Sequence, residues 1–283
     1  MSRARTADAT VAGALDRATH QLSIVGCPDP RIDSEFLLAH VLRTSRAGLY
    51  AESRRVLTAT EGDELGSLLD RRVRREPLAY VLGGWGFRRL TLRVDARVLV
   101  PRPETEVVVE RCLALLSGSD APRVLDVGTG SGAIALAIAD EHRGALVTGI
   151  DASRGALEVA RENAVLAGLD VELIAGNLFQ GLPGASWDLV VSNPPYVSPA
   201  EIELLEPEVR DWEPRAALVA EGATEAVARS AFAVLRGGGA LVLEVPPGDA
   251  GEVADLVREL GFARIRVTRD LAGRERVVEG VRP

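Results

Sequence analysis

At 283 residues, 47% of them hydrophobic and 26% charged, the chain is long enough to bury one large core or two ordinary ones, which excludes a disordered protein. Its net charge of −8 argues against a general nucleic-acid binder, because such proteins gather phosphates on a basic surface. Two cysteines, Cys27 and Cys112, lie far apart without CxxC spacing and point to reduced thiols rather than a disulfide framework or a zinc site.

The first residues, Met1 to Asp8, lack an apolar signal segment, and no uninterrupted apolar run approaches the roughly 18 residues of a membrane span, so a cytoplasmic protein is expected. The first third reads as three or four short helices. Val11, Leu15, Ala18 and Leu22 recur at helical spacing, an apolar stretch over 36–42 opens on Asp33-Ser34, and Thr60-x-x-Asp63 resembles a capping box before Leu65, Leu69 and Val73. The basic run Arg71-Arg72-x-Arg74-Arg75 suits the negative end of that helix dipole and reads as a solvated terminus. Residues 83–100 alternate apolar and polar around turn residues, which predicts a hairpin linking two domains, with Trp85 and Phe87 packed onto the helical one. The boundaries expected are 1–77 for a helical domain, 78–105 for the hairpin linker and 106–283 for an α/β domain.

Beyond Glu104 strands and helices alternate. Strands are predicted over 123–127, 147–150, 171–174, 187–192 and 240–245, helices over 133–139, 153–167, 223–235 and 252–260, and a final strand pair over 263–267 and 276–281. Gly237-Gly238-Gly239 reads as a turn entering a strand.

The chemistry-bearing residues follow the strands. Asp126-Val127-Gly128-Thr129-Gly130-Ser131-Gly132 leaves the first of them, and its glycines allow tight turning and close ligand approach. It is not the Gly-x-Gly-x-x-Gly of dinucleotide binding, since the glycines fall at every second position. Asp151 ends the next strand, where its carboxylate can accept two ribose hydroxyls or cap the following helix. Gly176-Asn177-Leu178 ends the third and suits either an adenine contact, through the Asn177 side chain and the Leu178 amide, or a plain turn. Asn193-Pro194-Pro195-Tyr196 ends the fourth. Two prolines donate no backbone hydrogen bond and hold the loop stiff, so the carbonyls and the Asn193 side chain become acceptors in defined positions, suited to a planar NH2 group; a strand followed by a proline turn is the plainer alternative.

Together these residues resemble the class I S-adenosylmethionine-dependent methyltransferases that act on amide or exocyclic amino nitrogens. Within that class, Arg72-Val-x-x-Glu76-Pro77-Leu-Ala-Tyr80-x-x-Gly83, Leu99-Val-Pro101-Arg102-Pro103-Glu104-Thr105-Glu106 and Arg274-Glu275-Arg276-Val277-Val278 are similar to the HemK/PrmC family of release factor N5-glutamine methyltransferases. The resemblance implies a Rossmann-like domain with a seven-stranded mixed sheet, joined by a β-hairpin to a small helical domain that helps to hold the release factor. It implies S-adenosylmethionine as methyl donor, S-adenosylhomocysteine as product, and no metal. It places Gly128, Thr129, Gly130, Ser131 and Gly132 around the methionine part of the cofactor, Asp151 on its ribose, and Asn177 with Leu178 at its adenine. Asn193, Pro194, Pro195 and Tyr196 would hold the glutamine amide of the release factor's Gly-Gly-Gln motif, with Asn193, Pro194 and Tyr196 catalytic and Asn193 also facing the cofactor. Two departures from the family pattern stand out: Asn177, where Asp is usual, and Glu244-Val245-Pro246-Pro247-Gly248, where Gly-rich or Gln-containing loops are common.

A ribosomal-protein glutamine methyltransferase would share both domains, and an adenine-N6 methyltransferase of nucleic acid would share Asn193-Pro-Pro-Tyr. The acidic charge opposes the second. A monomer without direct nucleic-acid or membrane binding is expected. Arg102, Glu104 and Glu106 either fold over the cofactor pocket or form surface ion pairs, and Glu213-Pro214-Arg215 is a secondary candidate for touching the release factor.

Overall fold

The computed structural model describes residues 10–178 and 186–283, and the chain divides at Gly83 into two units, the first of which also takes in Glu206–Trp212. In the first unit, α1 (Val11–Ile24), α2 (Pro30–Leu42), α3 (Arg46–Ala51), α4 (Ala59–Val73) and α5 (Leu78–Leu82) follow one another. On α1, Val11, Ala14, Leu15, Ala18 and Leu22 form one apolar stripe, buried with Leu37, Leu38, Leu49, Leu57, Leu65 and Leu69 in a single core. The capping box of α4 is Thr58 with Glu61, two residues before the expected Thr60 and Asp63. Thr58 and Glu61 satisfy one another's backbone N–H groups, which fixes the start of the helix.

The basic run that ends α4 is not a solvated terminus. Arg72 is 3% exposed and pairs with Asp33 and with Glu208, each at 2.7 Å. Arg75 bonds Glu208 at 2.6 Å and Glu206 at 2.9 Å, and Arg71 grips Glu76 and the Val81 carbonyl. A short helix, Pro207–Arg210, is thereby clamped into the helical unit by charge pairs from a part of the chain 131 to 136 residues downstream. Burying Arg72 requires such partners, because a lone guanidinium would carry a large desolvation cost.

The second unit opens with a hairpin of β1 (Trp85–Phe87) and β2 (Leu90–Leu92). Phe87 and Leu92 are 1% exposed and sit in the core of this second unit, which is where the structure places Phe87 rather than in the core of the helical unit. The remaining elements are α6 (Thr105–Leu116), β3 (Arg123–Val127), α7 (Ala133–Glu141), β4 (Leu146–Asp151), α8 (Arg154–Ala167), β5 (Glu172–Ala175), β6 (Trp187–Ser192), the short helix already described, now α9 (Pro207–Arg210), α10 (Arg215–Leu218), α11 (Ala223–Val234), β7 (Leu235–Glu244), α12 (Ala250–Glu259), β8 (Ala263–Arg269) and β9 (Glu275–Val281). The triple glycine lies inside β7, where the pairing with β6 shifts register, rather than in a turn before it.

The seven strands run in the order β5-β4-β3-β6-β7-β9-β8. β5, β4, β3, β6 and β7 are parallel; β9 is antiparallel to β7 and β8 to β9. Alternate residues of the central strands face opposite sides. Val124, Leu189, Val191 and Val242 join α6 and α7 on one face; Leu125, Val190, Leu241 and Leu243 join α11 and α12 on the other. After β3 the chain steps outward to β4 and β5, then returns to β6 on the opposite side of β3. The ends of β3 and β6 therefore flank the crevice where open α/β sheets take their ligands.

Candidate active site

Strand register decides which loops meet. Val127 pairs with both Ile150 and Ser192, Asp151 with Ala175, and Ser192 with Leu243. The glycine loop, Asp151, Gly176-Asn177 and Asn193-Pro194 thus leave the sheet at one level, on neighbouring strands about 5 Å apart. Glu244 also stands there, beside Asn193.

The glycine loop is held from three directions. Gly128 and Thr129 both donate to the Ile150 carbonyl, at 2.8 and 3.0 Å. The Asp126 carboxylate accepts from the Thr129 hydroxyl at 2.7 Å and from the Ala135 amide, in the first turn of α7, at 3.2 Å. Asn163, on α8 and 1% exposed, donates to the Ser131 carbonyl at 2.9 Å and to the Arg93 carbonyl at 3.0 Å, and accepts from the Arg93 amide at 2.7 Å. Gly128, Gly130 and Gly132 have φ of +74°, +55° and +83°, a region closed to most side chains. A side chain on Gly149 would meet the Thr129 Oγ1 at 2.8 Å, so the neighbouring strand must also be bare there.

Asp151 is half-buried and braces two turns: Oδ2 accepts from the Gly130 amide at 2.9 Å and Oδ1 from the Ser153 amide at 2.8 Å. The cap of α8 is Ser153 itself, which accepts from Ala156. Each Asp151 oxygen keeps a further lone pair for a hydroxyl donor. Asn177 is exposed, and Leu178, at φ +55°, packs against the core on the α11 face.

The fourth loop is anchored by Ser192, whose buried hydroxyl donates to the Val127 carbonyl at 2.7 Å and ties the end of β6 to the end of β3. Pro194 is buried, whereas Asn193, Pro195 and Tyr196 are half-buried. Burial pushes the Tyr196 phenol above its ordinary pKa, with the nearby Glu244 acting in the same direction. The Asn193 Nδ2 lies 3.5 Å from the Thr105 hydroxyl, which in turn donates to Glu244 at 2.6 Å.

Asp126, Thr105 and Glu244, which the sequence motifs contain without a role of their own, join the site together with Asn163, which the sequence did not single out. The other acidic and basic candidates find partners within the second unit: the Arg102 Nη2 reaches both oxygens of Glu213, at 2.7 and 2.8 Å, Glu104 pairs with Arg274, and Glu106 accepts a hydrogen bond from the Arg88 backbone amide. The Glu213 side chain is 1% exposed and is a buried strut against Arg102, whereas Arg215, two residues on, is exposed.

Two family models cover the chain: the PrmC N-terminal domain over residues 13–83 and the methyltransferase small domain over residues 106–245. Curated proteins of similar sequence include the release factor glutamine methyltransferases of Deinococcus radiodurans, 42% identical over 95% of this chain and 97% of its own, and of Caulobacter vibrioides, 39% identical over 96% of both. The chain belongs to the release factor glutamine methyltransferase family. Among solved structures, a Thermus thermophilus 16S rRNA N2 G1207 methyltransferase in complex with AdoMet and guanosine superposes with a TM-score of 0.54 at 19% identity, over 71% of this chain and 50% of that one. At that distance it shares the fold alone.

For a member of this family the test of the pocket is whether it suits the ammonium group at the amino-acid end of the cofactor. Asp126 Oδ1 is buried without a hydrogen-bond partner. Burial lifts the carboxyl to about 7, against the pull of its Thr129 and Ala135 hydrogen bonds. An unsatisfied carboxylate oxygen under a glycine loop is the acceptor that an ammonium group needs, and the residues present fit.

Proposed function

We propose that the chain transfers a methyl group from S-adenosylmethionine to the side-chain amide nitrogen of a glutamine in peptide chain release factors, the glutamine of the Gly-Gly-Gln motif. The observation that carries this reading is the Val127–Ser192 pairing, which sets the glycine loop and the Asn193-Pro194 acceptors side by side. The naming of the similar curated proteins supports the same substrate.

Bound S-adenosylmethionine supplies an electrophilic methyl group. Asp126 and the 128–132 loop would hold its amino-acid end, Asp151 its ribose, and Asn177 with Leu178 its adenine. The residues around the substrate answer a different problem. A carboxamide nitrogen shares its lone pair with the carbonyl and attacks poorly, and no side chain can remove its proton in the ground state. The Asn193 Oδ1 and the Pro194 carbonyl accept the two N–H bonds of the glutamine amide, while Tyr196 packs on the amide plane. These acceptors stabilise the positive charge that develops on the nitrogen during attack. Holding two reactants in line contributes about 7 to 11 kcal/mol more. The product nitrogen then releases a proton to solvent.

The protein is inferred to act as a cytoplasmic monomer without direct nucleic-acid contact; its net charge of −8 supports the last point, and no helix among the described residues is long and apolar enough to cross a membrane. Incubation with methyl-labelled S-adenosylmethionine and, separately, a release factor, ribosomal proteins and DNA tests the assignment. Label should map to the release-factor glutamine. Label on adenine, on a ribosomal protein alone, or nowhere overturns it.

A further inference from the structure

We propose that Glu244, acting through the Thr105 hydroxyl, is a positioning residue that sets which way the Asn193 amide faces. The inference rests on the reading of Asn193 as the substrate acceptor and explains how that acceptor is kept pointing outward. An asparagine amide has two nearly isosteric ends, and only its oxygen can receive a substrate N–H. A buried device that distinguishes the ends is therefore worth having.

The chain of contacts supplies one. A carboxylate only accepts, so the single hydrogen of the Thr105 hydroxyl goes to Glu244, 2.6 Å away. Thr105 Oγ1 is then left with lone pairs towards Asn193, and only Nδ2 can approach it, at 3.5 Å. The Asn193 oxygen is turned the other way. Glu244 is 1% exposed and Thr105 is 4% exposed, so water does not take over either role.

The groups facing Glu244 are Thr105 from α6, Arg276 from β9, Arg102 and Glu104 from the segment before α6, and Tyr196 from the substrate loop. Burial pushes the Glu244 carboxyl up to about 7; the Thr105 hydrogen bond and Arg276 pull the other way. Above that value the carboxylate holds the Thr105 hydrogen. Below it the neutral carboxyl can itself donate to Thr105, whose hydrogen becomes free for the Asn193 oxygen, and the acceptor is tied up. Turnover with both substrates saturating should therefore fall as the pH drops through about 7.

Thr105→Val, Thr105→Ser and Glu244→Gln test this, with kcat, both KM values, cofactor affinity by calorimetry and thermal unfolding measured for each. Thr105→Val should lose about tenfold in kcat, the worth of one hydrogen bond, with KM and cofactor affinity unchanged. Thr105→Ser should stay within about twofold, because the hydroxyl is retained. Glu244→Gln, which keeps an acceptor but does not titrate, should show a flat kcat across about pH 6 to 8. Wild-type kcat in Thr105→Val, or a wild-type acid limb in Glu244→Gln, overturns the positioning role while Asn193→Ala remains inactive. An active Asn193→Ala instead overturns the acceptor assignment and this inference with it.

Discussion

Replacing Asn163 by alanine removes three hydrogen bonds at once from the support of the glycine loop. The Ser131 carbonyl is left buried without its donor, at about 1 to 3 kcal/mol, whereas the Arg93 amide and carbonyl are only partly buried and lose about 0.5 to 1.5 kcal/mol each as water replaces the side chain. A net loss of about 3 kcal/mol is expected in urea unfolding, followed by fluorescence, since Trp85 and Trp187 both lie in the second unit. The loop must also be ordered afresh on binding, so cofactor affinity should weaken about tenfold, the equivalent of roughly 1.4 kcal/mol. Asn163→Asp sharpens the test. It keeps an acceptor for the Arg93 amide but sets a carboxylate against the Arg93 and Ser131 carbonyl oxygens. It should be worse than alanine at neutral pH and recover in acid, where protonation returns one donor. An alanine variant with the wild-type unfolding midpoint and cofactor affinity refutes the bracing role.

Asn193→Ala should abolish turnover while calorimetry finds cofactor binding largely retained; an active variant rejects the acceptor assignment. Cofactor affinity should rise with pH through about 7, because Asp126, lifted there by burial, is neutral below that value and charged above it, and a cationic ligand prefers the charged form. Asp126→Asn should bind more weakly and flatten that dependence, and an unchanged pH profile in the variant assigns the titration elsewhere. Arg72→Met leaves Asp33 and Glu208 buried without their shared partner and should cost about 3 to 5 kcal/mol of stability in denaturant unfolding. A loss under about 1 kcal/mol marks the pair as no better than a surface salt bridge.

What could be read from the sequence follows the reach of the signal. The parallel strands β3 and β6 are buried on both faces, so their apolar runs announce them over the residues observed, 123–127 and 187–192. The residues after them carry unusual backbone or acceptor chemistry, which is local information. α6 escaped notice because it contains Val107-Val108-Val109, a β-branched run that favours a strand by propensity; the burial of Val108, Cys112 and Leu116 at every fourth position makes it a helix. Once α6 is missed, Thr105 is a motif residue with no structural role attached to it, and its bond to Glu244 spans 139 positions that no local pattern connects. Arg72 and Glu208 illustrate the same gap, and so does Asn163, which reads as one more polar residue on an amphipathic helix until α8 is packed beside Ser131. The residues proposed to touch substrate and cofactor are therefore recognisable in isolation, while those that hold them in place become visible only when the sheet order brings distant segments together. A variant library chosen from motifs alone would sample the first group and miss the second, although the hydrogen bonds of Asn163 and the Glu244–Thr105 pair predict large effects from both.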